Sequence, residues 1–382
     1  MNKFFKSAAL FAVAALILAG CKGSGETSDD WTRKNESILK QYVENTVNVT
    51  YGNLAAETET LVEQLKTLKA NRTDANVQAA CATFLEARAW WEKSEAFLYG
   101  AAGDFGIDPH IDSWPLDQSS FNDLMNSPAM LAELDSEDGD VVANDRLGNA
   151  LLGFHGIEYI LFKDGQPRPA AEMTDNFMIY AVAVAGDLRN HCYQLEVSWN
   201  ADAPQAHIDA MEELEFNTEI AGKSYGENMI QAGKLGSTYG TQRAAVKAIL
   251  DGCATIADEV GASKIGKPNT GEDVNYVESP YSETSITDFR NNIISIQNAY
   301  YGGVEGKRDE NLSVHYYLTK VMDMDDEDAA IAEKLEAALD AIDNMKAPFV
   351  VYYADATART ASEACQDLEE AISTAKNNLS KK

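Results

Sequence analysis

Apolar residues recur along this chain at intervals of three and four. Downstream of Leu54, the residues Leu61, Leu65 and Leu68 fall on one stripe. Ile331, Leu335, Ala338, Ile342 and Met345 repeat the pattern, with acids and lysines between them. From Phe349 to Lys376 the chain is rich in alanine, with Leu368 and Ile372 on one face. Such spacing predicts amphipathic helices. No stretch alternates for long enough to predict a strand. The expected fold class is all-α, built from long antiparallel helices.

Glycine and proline divide these helices. DFGIDPHIDSWPLD (104–117) and DGQPRPAAEMTD (164–175) read as loops, and Thr174 or Asp175 is positioned to cap the next helix. The stretch 261–289 carries Gly261, Gly266, Pro268, Gly271 and Pro280, which argues against a continuous helix; Ser285 or Thr287 then offers an N-cap. WNADAPQA (199–206) and the glycines at 222, 226, 233, 236 and 240 place a boundary near 200–225. The length exceeds that of a usual single domain. Two packed helical bundles are expected, over 31–215 and 216–380.

The first 26 residues, MNKFFKSAALFAVAALILAGCKGSGE, read as an export signal. Lys3 and Lys6 precede an apolar run from Ala8 to Leu18 that is too short to span a bilayer. Small residues directly before Cys21 match a bacterial lipoprotein signal. Residues 1–20 would be removed, Cys21 lipidated, and 21–30 left as a polar tether. The expected location is the cell envelope, facing the periplasm or on the outer-membrane surface.

The net charge of −30 argues against nucleic acid, whose phosphates require a basic face, and against anionic headgroups. It favours attraction of cations. Cys81, Cys192, Cys253 and Cys365 lack the spacing of a zinc knuckle or redox pair. Export permits disulfides, Cys81–Cys192 with Cys253–Cys365 being one economical pairing, and buried free thiols are the alternative.

Candidate chemistry concentrates in GFHGIEYILF (153–162). On a helix, His155 and Glu158 lie about 60° apart on one face, where their side chains can meet. Imidazole and carboxylate at this spacing make a two-ligand unit for iron, manganese, zinc or copper. A satisfied buried pair is the competing reading. Gly148, Gly153 and Gly156 nearby imply close approach of another backbone or a ligand. Zinc peptidases require HExxH or HxxEH, and neither is present, since Tyr159 follows Glu158.

GFHGIE (153–158), AWWEKSEAFLYG (89–100) with IDSWPLD (111–117), and VESPYSETSITDFRNNIISIQNAYYGG (277–303) are three further markers spread along the chain. Together they resemble the imelysin-like family, in its Bacteroidetes-type lipoprotein form, over nearly the whole chain after Cys21. The first stretch matches that family's GxHxxE motif. The resemblance implies two packed helical bundles with a polar site near their interface, export or lipid anchoring, and a link to bacterial iron uptake. It also implies a peptidase classification, from an insulin-cleaving founding member.

The matched stretches supply candidate partners for His155. Glu95, Asp112 and Asp117 would complete an oxygen-rich site with His155 and Glu158, for a divalent or trivalent ion, iron preferred and zinc the alternative. Glu95 in a surface ion pair and Asp117 as a helix cap compete with these roles. Arg88 would hold a carboxylate or anionic ligand, or pair along its helix. Ser282, Asp288 and Asn292 gather at a helix start, which suits an anion, a carboxylate or simple capping. His110 is held in reserve; His191, His207 and His315 show no ligand-spaced partner.

The leading expectation is a lipid-anchored metal-binding protein of iron acquisition that presents its ion to a transporter or receptor and performs no catalysis. A metallopeptidase with Glu158 as ligand or base is the second. The third is a surface module for haem or a protein partner, which 16 Tyr, 13 Phe and 5 Trp permit.

Overall fold

The structure, a computed structural model, describes residues 28–382. The signal, Cys21 and most of the tether lie outside the described residues. Among the described residues, nine helices frame the core. In the N-terminal half these are α1 (Ser28–Tyr42), α2 (Asn48–Ala70), α3 (Asp74–Glu92), α4 (Gly153–Leu161) and α5 (Asp175–Trp199). In the C-terminal half they are α6 (Gln242–Asp258), α7 (Ser285–Tyr300), α8 (Asp325–Asp343) and α9 (Ala356–Leu379). The all-α expectation holds, with one hairpin pairing Phe162–Lys163 with Gln166–Pro167.

The apolar stripes explain the packing. Leu61, Leu65 and Leu68 of α2 are fully buried, each contributing about 1.5–3 kcal/mol by leaving water. The three residues between α2 and α3 leave room only for an antiparallel return. Helices α2, α3 and α5 form the heart of the first half, and α6 to α9 that of the second. One continuous apolar core, from Ile38 to Leu379, joins them. Its halves meet where α3 and the turn Glu95–Phe97 pack on α6 and α7. All four cysteines described are buried free thiols.

Local expectations fare unevenly. Thr174 caps α5 by accepting from the Phe177 N–H at 3.2 Å. The 261–289 stretch is corrected over 261–270 only, since helix ends at Gly271 as expected. The helix continues beyond α6 through a wide π-helical turn, Glu259–Ile265, and a further turn, Gly266–Thr270. Gly261 is there for proximity to α9, since a Cβ would sit 2.9 Å from the Ser362 carbonyl oxygen. Neither Ser285 nor Thr287 caps α7. The Ser285 hydroxyl instead donates to the Glu278 carbonyl at 2.5 Å.

Candidate metal centre

Gly153 opens α4 with φ +70°, and a Cβ there would overlap the carbonyl oxygen of Ile111. Only glycine lets the 111–112 backbone come this close. The approach sets Asp112 beside His155, with its Oδ1 3.2 Å from His155 Nε2. Gly156 makes room for the Tyr180 hydroxyl. Gly148 precedes the helix and faces open space, so the reading of three helical glycines narrows to two.

His155 and Glu158 meet as their spacing requires, with Nδ1 3.2 Å from Oε2. The other oxygen of Glu158 accepts from the backbone N–H groups of Tyr281 (3.0 Å) and Ser282 (2.8 Å) and from the Ser282 hydroxyl (2.8 Å). Both carboxylate oxygens are thereby engaged. Glu158 clamps the loop before α7 and orients the imidazole, leaving Nε2 to face the cluster. A carboxylate behind a ligating histidine has this geometry. The clamp loop holds Ser279 and Glu283 at φ +50° and +60°, a left-handed conformation costly for residues with side chains.

Nε2 faces a buried assembly drawn from both halves. Arg88 pairs with Asp112, with Glu92 (2.5 Å) and with Glu278 (2.6 Å). Trp91 Nε1 donates to Asp112 Oδ2 at 2.7 Å. Lys264, carried by the π-helical turn, reaches Glu278 at 3.2 Å and both Glu92 and Glu95 at 3.7 Å. Asn292 donates to Glu92, and Asp288 is buried nearby. Six carboxyl groups thus face two permanent cations and one imidazole.

Their titration reflects the imbalance. Burial, with Glu92 and Asp112 adding like charge, lifts Glu278 to about 7 against the pull of Lys264 and Arg88. Burial likewise raises Glu95 and Asp288 well above the carboxylate range. Burial also disfavours the Asp112 anion, yet Arg88 and His155 hold its carboxyl below the usual range. Burial alone would lower His155, but hydrogen bonds to Asp112 and Glu158 lift it to about 9.

One ligand atom each from Asp112, His155 and Glu278 lies within 4.8 Å of the other two, and Glu92, Glu95 and Asp112 form a second such group. Glu278 Oε2 is buried without a hydrogen-bond partner, and His155 Nε2 faces Asp112 Oδ1 across 3.2 Å. A buried polar atom left without a partner is uncommon and here suits a cation beside it. A cavity of about 470 Å³ reaches Glu95 and is lined by Asp104, Asp108, Asp251 and Glu259. Asp251 is exposed at its rim, and burial raises Asp108 to about 6.

Of the residues singled out from sequence, Arg88, Glu95, Asp112, His155, Glu158, Ser282, Asp288 and Asn292 come together. Asp117 does not. It is exposed and caps the helix Gln118–Met125, accepting from the Ser119 and Ser120 N–H groups at 3.0 Å. Of the alternatives for Ser282, Asp288 and Asn292, the structure has Ser282 and Asn292 holding carboxylates of the chain itself. Ser282 binds Glu158, Asn292 binds Glu92, and Asp288 is a further buried carboxyl that burial holds well above the usual range. Sequence reasoning missed Glu92, Lys264 and Glu278. The i, i+4 spacing of Arg88 and Glu92 was the one available signal.

The family model described as imelysin, a peptidase by its designation, matches residues 48–375. The chain belongs to the imelysin family. It is 27% identical over 264 residues to iron-regulated protein A of Synechococcus elongatus, covering 69% of this chain. The match spans 64% of that relative's length. A crystal structure from Parabacteroides distasonis, described as an iron-regulated protein A precursor, superposes with a TM-score of 0.75 at 26% identity. The match covers 94% of this chain and 97% of that one. An imelysin-like protein from Psychrobacter arcticum shares the fold, with a TM-score of 0.58 at 12% identity over 91% and 93% of the two chains.

Proposed function

We propose that this imelysin-family protein is an exported lipoprotein, anchored through Cys21, that binds an iron ion between its two halves and passes it to an envelope transporter or receptor. The observation carrying this reading is the buried excess of carboxyl groups around an imidazole whose Nε2 is turned toward Asp112 and the cluster. Asp112, His155 and Glu278 are the ligand set, with Glu158 orienting His155. Glu92 and Glu95 lie on the way in from the acidic cavity. A hard, oxygen-rich set with one nitrogen suits iron or manganese. The names of two relatives, iron-regulated protein A, favour iron.

Arg88 and Lys264 belong to this reading. In the metal-free protein they pair with the carboxylates and offset their mutual repulsion. An arriving ion competes with them and with the His155 proton, which makes binding reversible, as delivery requires. Anaerobic Fe(II) titration tests the set. Glu278→Gln and Asp112→Asn should each weaken binding at least tenfold, and unchanged affinity in both would refute it. Labelled palmitate incorporated by wild type and lost in Cys21→Ser tests the anchor.

A second reading, metal-assisted hydrolysis, is favoured by Glu278, whose carboxyl near 7 and unpartnered oxygen suit a general base. Metal-loaded protein incubated with an unfolded polypeptide decides it. Cleavage abolished by Glu278→Gln would install this reading in place of the first.

A further inference from the structure

A second group of metal-binding side chains lies apart from the central cluster. Asp187 and His191 stand one turn apart on α5, at i and i+4, and so share a face. The turn Ile107–Ile111 brings His110 against them. His110 Nε2 is 2.9 Å from Asp187 Oδ2, His191 Nε2 is 3.4 Å from Asp187 Oδ1, and the two rings are 4.0 Å apart between centres. One ligand atom from each lies within 4.8 Å of the others. His191 thus has a ligand-spaced partner after all, the aspartate one turn before it, and the third member, His110, is 77 residues from that aspartate in sequence.

Three features separate this group from an ordinary buried ion pair. Asp187 is 1% exposed, and its Oδ1 has no hydrogen-bond partner. His191 Nδ1 faces Gln194 Oε1 at 3.2 Å, while the Gln194 amide is committed to the Asn217 carbonyl. Gln194 thus orients the ring through Nδ1 and turns Nε2 toward Asp187, the arrangement of histidines that bind metals. Asn144 Oδ1 lies 3.2 Å from the same Nε2, so another oxygen acceptor converges there. Among the described residues Asp187 pairs with the two imidazoles and with no lysine or arginine. The central cluster, by contrast, has Arg88 and Lys264 within it.

We infer that His110, Asp187 and His191 form a second metal site, for a borderline divalent ion such as zinc or cobalt(II). Two imidazole nitrogens and one carboxylate, with the Asn144 carbonyl at hand, match the nitrogen-and-oxygen sets that zinc prefers. The central cluster offers one nitrogen among many oxygens, so the two sites differ in the ions they select. His110 is two residues from Asp112, at the end of the same turn. His191 is buried, and His110, with 14% of its side chain exposed, leaves the group within reach of solvent.

Zn(II) titration of the purified full chain, followed by calorimetry, and Co(II) titration, followed by its visible d–d bands, test the inference. His155→Ala, which removes the central imidazole, should retain one Zn(II) equivalent and the cobalt bands. His110→Ala and His191→Ala should lose that equivalent in both the wild-type and the His155→Ala background. Gln194→Leu should weaken it about 10–100-fold, as loss of an orienting contact does. Circular dichroism verifies folding of each variant. If His191→Ala does not fold, His110→Ala on its turn decides alone. No Zn(II) bound by His155→Ala, or undiminished binding by His110→Ala, would overturn the inference. Failure of the central site would show instead as equal binding by wild type and His155→Ala.

Discussion

His155 shows how far one residue's surroundings set its behaviour. Its partners Asp112 and Glu158 favour the imidazolium, and the folded pKa rises from 6.5 to about 9. The folded state then binds the proton more tightly than the unfolded chain. The stability this contributes is complete below pH 6.5 and is lost as pH rises through 9. Glu278, raised from 4.5 to about 7, acts in the same direction at lower pH. The Tm of metal-free protein should therefore fall between pH 6.5 and pH 9, and Glu158→Gln should flatten that fall; a Tm that climbs over this range would contradict the assignment. A metal ion must displace the same proton, so Fe(II) affinity should tighten over the same interval. Gly153→Ala should cost about 3 kcal/mol or more in urea unfolding, because it meets both a positive φ and the Ile111 carbonyl. The His155–Glu158 contact was legible from spacing alone. What Glu158 does was not, because its second oxygen is claimed by a loop more than 120 residues later.

Among the elements, the π-helical turn Glu259–Ile265 carries the most consequence. An extra residue per turn displaces Lys264 from the α-helical path and brings it into the carboxyl cluster. Lys264→Met should destabilise the metal-free protein by about 3–5 kcal/mol, since buried carboxylates lose their counter-charge. The deficit should shrink in acid, where those groups are protonated, and an equal deficit at pH 5 and pH 8 would contradict this role. Asp117→Ala should lower Tm modestly by uncapping Gln118–Met125 while leaving metal stoichiometry unchanged. The long helices were readable from their apolar stripes because burial repeats every turn. The Gly- and Pro-rich stretch after α6 misleads at its start because Gly261 serves close packing against α9, which only the tertiary arrangement reveals. Ser285 suits a cap by its position, but the Glu278 carbonyl takes its hydroxyl first.

At the scale of the whole molecule, the polar cluster lies where the two halves meet. Arg88, Glu92, Glu95, Asp112, His155 and Glu158 come from the first, and Lys264, Glu278, Asp288 and Asn292 from the second. Ion pairs cross between the halves, Arg88 with Glu278 and Lys264 with Glu92 and Glu95, so the cluster is tied to the joining of the halves. That dependence explains why the N-terminal contribution was largely legible and the C-terminal one was not. The first is spread over α3, one loop and α4, where spacing and glycines mark it. The second rests on a lysine and a glutamate that have no local signature. No helix among the described residues is long and apolar enough to cross a membrane. The cavity that reaches Glu95 is lined by acids, and in the proposed function it would draw cations toward the cluster. The central claim is that an ion binds between the halves, on His155 and its carboxylate neighbours. Its most direct test is anaerobic dialysis of stripped protein against Fe(II) at pH 7.5, with bound iron measured by elemental analysis. Wild type should retain one equivalent more than His155→Ala. Equal iron in both proteins would contradict the claim and leave the cluster as a buried ion network that binds the halves together.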